Sequence, residues 1–333
     1  MKEEFESKLY KIDPVFFEEA LACKDGKMNE MNTCMYWGCE CGDGWFKPLE
    51  KFVNKVKIIN DIAKNYNTKF VCEQLKEKYS ELRVYYKTCL VNVEKNDQQI
   101  DKQVDVLVDM FEDALKKVED DCWNVCEWCG AEGGRRGENL ITTSGWISRI
   151  CKKCAKEQQE HDVKFFDQHN KKDYIPRITL FRDAYYFLNP FHIDQYTFKN
   201  KDNYYHSIIE AFFCEKDPAN KDIYQKIGSF ENDKRSPYLI KDIANKFGFK
   251  YEDNEKDFNL LKDIVRAKFS YEWNEELKKE LMETKGKLLQ NMGYHCDNIL
   301  GHCVCENCKD KEHKDLYAKI LMEVRDEFLN KKK

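Results

Sequence analysis

Residues 126–154 read CEWCGAEGGRRGENLITTSGWISRICKKC: two Cys-x-x-Cys pairs with 21 residues between them. Four thiols in two such pairs suit tetrahedral zinc, because each pair forms a tight knuckle and the intervening segment closes the chelate. The alternative is a set of unliganded structural thiols. With Cys126, Cys129, Cys151 and Cys154 as ligands the ion has no open position, so a structural zinc is expected rather than a catalytic one. Cys122, in CWNVCEWC, offers a fifth sulfur that could replace one of them. Inside the loop, Arg135, Arg136 and Trp146 either contact a phosphate or a base, or form a solvated turn and a packed ring.

Outward from this framework, composition bounds the class. The 333 residues carry 16 cysteines and a formal charge of −5, with 42% hydrophobic and 35% charged side chains, so a packed core is expected and wholesale disorder is not. Residues 1–172 hold 28 basic and 32 acidic groups and residues 173–333 hold 28 and 29, which argues against nucleic-acid binding by charge alone. The start, MKEEFESKLYKID, lacks the apolar core of a signal peptide, and no apolar run reaches the roughly 18 residues that span a bilayer. The expectation is a cytoplasmic, reducing setting without membrane association, where clustered cysteines are metal ligands more often than disulfides. Two further groups are Cys296, Cys303, Cys305 and Cys308, a candidate second metal site, and Cys34, Cys39 and Cys41.

The chain predicts an α+β fold in two domains. Residues 1–165 read as an α+β zinc-binding domain and residues 173–333 as a mostly helical α+β domain, with a helical or loose linker near 165–172. A short helix is expected over 14–21, and a longer one after CGDGW carries Phe46, Leu49, Phe52, Val53, Val56 and Ile59 at helical spacing. KFVCEQLKEKYSELRVYYKTCLV predicts strand, turn and strand, and IDKQVDVLVDMFEDALKKVEDDC an amphipathic helix. In CECGDGW, either a second metal site or a helix start capped by Asp43 is expected. The aromatic-rich run from Ile178 to Ser207 reads as β-like, YYHSIIEAFFCEK (204–216) as a helix, and helices follow to the C-terminus.

Two resemblances attach to these motifs. CGDGWFKPLEKF, VCEQLKEKYSELRVYY and CEWCG…GWISRICKKC together resemble an uncharacterised cysteine-containing family of bacteria and phages, over residues of roughly 35–156; it implies no activity. FLNPF (187–191), YYHSIIEAFFCEK, IVRAKFSYEWNEELKKELMETKGKLL, DNILG (297–301) and LYAKILMEVRDEF resemble, in order, the motifs of the NADAR family, which includes riboflavin-intermediate N-glycosidases. That resemblance covers most of 178–328. It implies a hydrolase cleaving the N-glycosidic bond of a ribose phosphate or ADP-ribose, on an ADP-ribosylated nucleobase or a riboflavin-pathway intermediate. It places Glu210 as the catalytic carboxylate beside the sugar and Asp297 on ribose hydroxyls or as acid/base. Lys216 and Lys268 would hold phosphate, with Asn189, Phe187, Phe191 and Tyr205 shaping the pocket. A nucleotide-like small molecule or ADP-ribosylated nucleic acid is the partner it implies.

Ala211 stands where that family has histidine and Leu300 where it has tryptophan, which motivates the alternative of a non-catalytic NAD or ADP-ribose sensor. Helical periodicity alone reads Glu210 as a solvated carboxylate, about 130° from the apolar face. It reads Lys268 as a covered stem with its ammonium reaching out, or as a phosphate contact.

Overall fold

A computed structural model of the chain describes all residues except 91–97, 135–136, 145–146, 195–196, 230–235, 294–296, 298, 304, 309 and 332–333, and also leaves out the side chains of 98–101 and 236. The fold is mixed α+β with small sheets, and backbone proximity divides it into Met1–Ala155 and Lys156–Lys333. None of the described helices is long and apolar enough to cross a membrane.

In the first unit, α1 (Glu3–Ile12) and α2 (Glu18–Lys24) precede a two-residue strand β1 (Cys39–Glu40) and α3 (Phe46–Ala63). The long hairpin β2 (Thr68–Lys78) and β3 (Glu81–Leu90) follows, then α4 (Gln98–Trp123) and the short antiparallel pair β4 (Leu140–Thr142) and β5 (Arg149–Cys151). β1 pairs in parallel with β2, giving the sheet order β1-β2-β3. The predicted stripe on α3 is its buried face: Leu49, Phe52, Val53, Val56 and Ile59 are at most 3% exposed. The hairpin turns through Tyr79 and Ser80, both at positive φ, which matches the twist of the flanking strands without a glycine. Phe16, Phe52, Phe70 and Phe111 pack ring to ring between α3, α4 and the sheet, with Phe70 stacked on Phe111 at 5.1 Å.

The polar run after Cys154 is helical, α5 (Lys152–His169), and the division between units falls near the start of that helix. The second unit continues with β6 (Arg177–Ile178), β7 (Phe198–Asn200), β8 (Asn203–Tyr205), α6 (Ile208–Lys216), α7 (Lys221–Gly228), α8 (Ser236–Lys246), α9 (Glu255–Ser270) and α10 (Glu275–Glu283). The strands β9 (Leu288–Leu289), β10 (Met292–Gly293) and β11 (His302–Cys303) precede the last helix, α11 (Leu316–Asn330). Every residue of α6 from Ile208 to Cys214 is buried, because α7, α8 and α9 all pack on it.

Three local expectations change. Among its described residues the run 178–207 is strand only at β6 and in the β7–β8 hairpin; Asp183–Leu188 is a 3-10 helix, whose aromatic side chains Tyr185 and Phe187 are buried. The helix expected from 204 begins at Ile208, since Tyr204 and Tyr205 pair with Lys199 and Phe198. Residues 14–17 form a turn before α2, held by Asp13 Oδ1, which accepts from the amides of Val15 and Phe16.

Candidate functional site

In the first unit the Sγ atoms of Cys126, Cys129, Cys151 and Cys154 lie within 4.8 Å of one another, a set that could hold a metal ion. The knuckle closes as the amide of Gly130, at φ +73°, donates to the carbonyl of Cys126 at 2.8 Å. The CGDGW turn is the bed for this knuckle. The amide of Gly44 donates to Glu127 O at 2.7 Å, and that of Gly42 to Glu127 Oε1 at 3.2 Å. A Cβ on Gly44 would overlap the carbonyl oxygen of Cys126 and the amide of Gly130. The expected Asp43 cap is corrected: α3 has no side-chain cap, and Asp43 instead accepts from the amide of Lys2 at 2.7 Å. Cys34, Cys39 and Cys41 form no metal-competent group among the described residues, and Cys122 is not part of the four-sulfur set. Arg135, Arg136, Trp146 and Cys296 lie outside the described residues.

In the second unit a cavity of about 850 Å³ is lined by α5, residues 179–182, the FLNPF turn from Asn189, one face each of α6 and α8, and the DNILG segment. Asn189 builds the first turn: its Oδ1 accepts from the amide of Phe191 at 2.9 Å and its Nδ2 donates to Phe181 O at 3.2 Å. Phe191 then stacks on Tyr238 of α8 with ring centroids 4.3 Å apart and planes 8° apart. Lys241, one turn further along α8, lies 5.5 Å from the Phe191 ring centre and 3.9 Å from Asp297 Oδ2. Asp297 Oδ1 accepts the amides of Ile299 and Leu300 at 3.1 and 2.8 Å, which fixes the carboxylate at the cavity wall. The hydroxyl of Tyr251, also on the wall, is buried without a hydrogen-bond partner among the described residues; burial and the nearby Asp257, Asp253 and Asp297 push its pKa up to about 12. Lys250 is an exposed cation on the same rim, with no carboxylate within ion-pair distance among the described residues.

Of the residues expected at the site, Asn189, Phe191 and Asp297 line this cavity. Glu210, Lys216, Lys268, Phe187 and Tyr205 do not. Glu210 is 1% exposed rather than solvated. It completes a capping arrangement at the start of α6: Ser207 Oγ accepts from the amide of Glu210, and Glu210 Oε2 accepts from the amide of His206 at 2.7 Å. Gly228 of α7 packs directly on its carboxylate, where any Cβ would overlap it. Lys216 is paired with Asp257. Lys268 is fully buried, 3.0 Å from Asp194 Oδ1, so its ammonium neither reaches solvent nor lines the cavity. Tyr205 donates its hydroxyl to Glu215 at 3.0 Å, and Phe187 packs edge-on to Phe269.

Among the wall residues that sequence reasoning did not single out are Tyr238, Lys241, Lys250 and Tyr251. They lie in a stretch without a recognisable motif, and only the fold carries α8 and the segment after it to the FLNPF and DNILG turns. Cys303, Cys305 and Cys308 also bring their Sγ atoms within 4.8 Å of one another, a second set that could hold a metal ion. No protein-family model matches this chain, and neither a curated protein nor a solved structure does.

Proposed function

We propose that the second unit binds a phosphate-bearing, nucleotide-like ligand in this cavity and hydrolyses its N-glycosidic bond, as the resemblance to the NADAR family implies. The observation that carries the reading is convergence: FLNPF and the α6 segment meet DNILG, which lies about 80 residues further along the chain, around one cavity of ligand size. An apolar platform, two lysines, an unsatisfied hydroxyl and one fixed carboxylate are the groups such a ligand needs. The Phe191–Tyr238 pair offers its exposed ring face for a base to stack on. Lys241 and Lys250 take the phosphate and Tyr251 donates to the sugar or phosphate.

Breaking the bond from C1′ to nitrogen builds positive charge on the sugar. Of the wall carboxylates Asp162, Asp242 and Asp297, Asp297 is the one held by two backbone amides, and it is the group that stabilises that charge and orients water. Glu210, away from the wall, acts on position rather than on the sugar: it fixes the start of the helix whose Ile209, Phe212 and Phe213 form the cavity floor. In the first unit zinc is the metal we propose, as a structural ion. The 3.8 Å between the sulfurs of Cys129 and Cys151 equals the roughly 3.8 Å tetrahedral edge that follows from Zn–S bonds of about 2.3 Å.

The test is to incubate zinc-loaded protein with ADP-ribosylated DNA and with ribose-phosphate intermediates of riboflavin synthesis. Turnover is expected with one of them, and Asp297→Asn should lower kcat at least about a hundredfold while ligand affinity changes little. A second reading, a non-catalytic binder of ADP-ribose, is favoured by the placement of Glu210 off the wall; binding by folded wild-type protein without turnover would establish it. Absence of binding to either substrate class or to ADP-ribose overturns both.

A further inference from the structure

The segment after β11 gathers chemistry that the ligand reading leaves unused. Cys303 and Cys308 are buried at 2% and 1% exposure, and none of the described cysteines is in a disulfide. The amide of Cys308 donates to Cys305 O at 2.9 Å and that of Lys311 to Cys308 O at 2.9 Å. This is the tight bend of a Cys-x-x-Cys metal knuckle. His313 follows Cys308 at x4 spacing and stacks on His302, the chain neighbour of Cys303, with ring centroids 4.1 Å apart. Its Nδ1 is buried with no hydrogen-bond partner among the described residues, and although the ring lies outside the set of sulfurs within 4.8 Å of one another, its stacking on His302 makes it an imidazole that an ion held by the three sulfurs would draw in. Three thiolates and one imidazole are a donor set that selects zinc.

We propose that Cys303, Cys305, Cys308 and His313 bind a second Zn²⁺ ion, and that this ion braces the wall of the ligand cavity. His302 and Cys303 are themselves on that wall, beside Asn291, Met292, Leu300 and Gly301. What else holds the wall is slight. β10 and β11 are two residues each, and the amide of His302 donates to Asn291 O at 2.9 Å. A ladder this short is marginal by itself, whereas a tetradentate metal ties its ligands together with several times that free energy. The DNILG turn is in turn pinned to the start of α11, where Leu316 and Tyr317 donate to Ile299 O and Leu300 O at 2.9 and 3.2 Å. The ion therefore sits at the base of the loop that presents Asp297. The effect on ligand rests on the binding reading above; the metal site does not.

Zinc content, cobalt(II) spectra and amide hydrogen exchange of the full chain test the proposal. Wild type is expected to release two zinc ions per chain and Cys305→Ser/Cys308→Ser one. Cobalt in the second site should show tetrahedral bands with thiolate charge transfer, which the double variant loses. His313→Ala should weaken the second site at least about tenfold, a loss that even a group supporting a metal ligand causes. With the second ion absent, exchange over 288–303 should rise by about tenfold or more while 126–154 is unchanged, and ADP-ribose affinity should fall by a similar factor. If the double variant does not fold, His313→Ala, which keeps all three thiols, supplies the same readouts. Retention of two zinc ions by the double variant, unchanged affinity in His313→Ala, or loss of the ion without change in exchange over 288–303 would overturn the proposal. Two bound zinc ions and the exchange response, without ADP-ribose binding, would leave this site standing and overturn the ligand reading instead.

Discussion

Lys268 and Asp194 form a pair at 0% and 1% side-chain exposure, with the ammonium also directed at Phe187 O at 3.4 Å. Charges so placed are stabilised chiefly by each other. Lys268→Met is expected to cost about 3–5 kcal/mol, since it leaves the buried Asp194 carboxylate with only the His192 ring, 3.0 Å away, beside it. Adding Asp194→Asn should recover part of that loss in denaturant melts. Glu210 makes the opposite case. Glu210→Gln keeps an acceptor for the His206 amide, so about 1 kcal/mol of stability should be lost and turnover should stay within roughly tenfold. A collapse of kcat in Glu210→Gln with intact binding would return the chemistry to that residue. Both outcomes turn on burial, and at these positions the sequence was ambiguous. Lys268 shares a stripe with Leu261, Ile264 and Val265, which shows that its stem is covered but not what meets its end. The Ser-x-x-Glu of Ser207 and Glu210 did carry a readable signal, that of a capping box, but helical periodicity obscured it.

Among the elements, α3 and α4 were legible because each is amphipathic with one face on a single core. The β2–β3 hairpin was legible because its β-branched and aromatic strands flank a polar turn. α6 was not, because a central helix packed on several sides has no polar face from which to judge orientation. The aromatic run before it misled for a related reason: β propensity describes a pleated, half-buried surface, and Asp183–Leu188 instead sinks its rings into a core of helices. The GDG turn gained its meaning only from its neighbour. Gly44→Ala inserts a methyl into the backbone of the first knuckle, so about 1–3 kcal/mol of stability should be lost, together with measurable weakening of metal retention in a chelator competition.

At the scale of the whole chain there are two units, each with its own apolar cluster, one centred on Phe16, Phe52, Phe70 and Phe111 and the other on α6, α9 and α11. The four-sulfur set holds the end of the first unit, because its knuckle carries the hydrogen bonds to Gly42 and Gly44. Metal removal by a chelator is therefore expected to raise amide exchange over 39–45 and 122–154 while α6 keeps its protection; equal exposure of both would contradict this. The sequence by itself determined the four-sulfur set, the helices with one apolar stripe, the hairpin and the order of the motifs, because spacing and periodicity are local properties. Only the tertiary structure decided that FLNPF, α6 and DNILG share a cavity with Tyr238, Lys241 and Tyr251, that Asp297 lies on its wall, and that Glu210 and Lys268 are enclosed. Those are properties of which surfaces meet, and residues dozens of positions apart meet through packing, which no local pattern encodes.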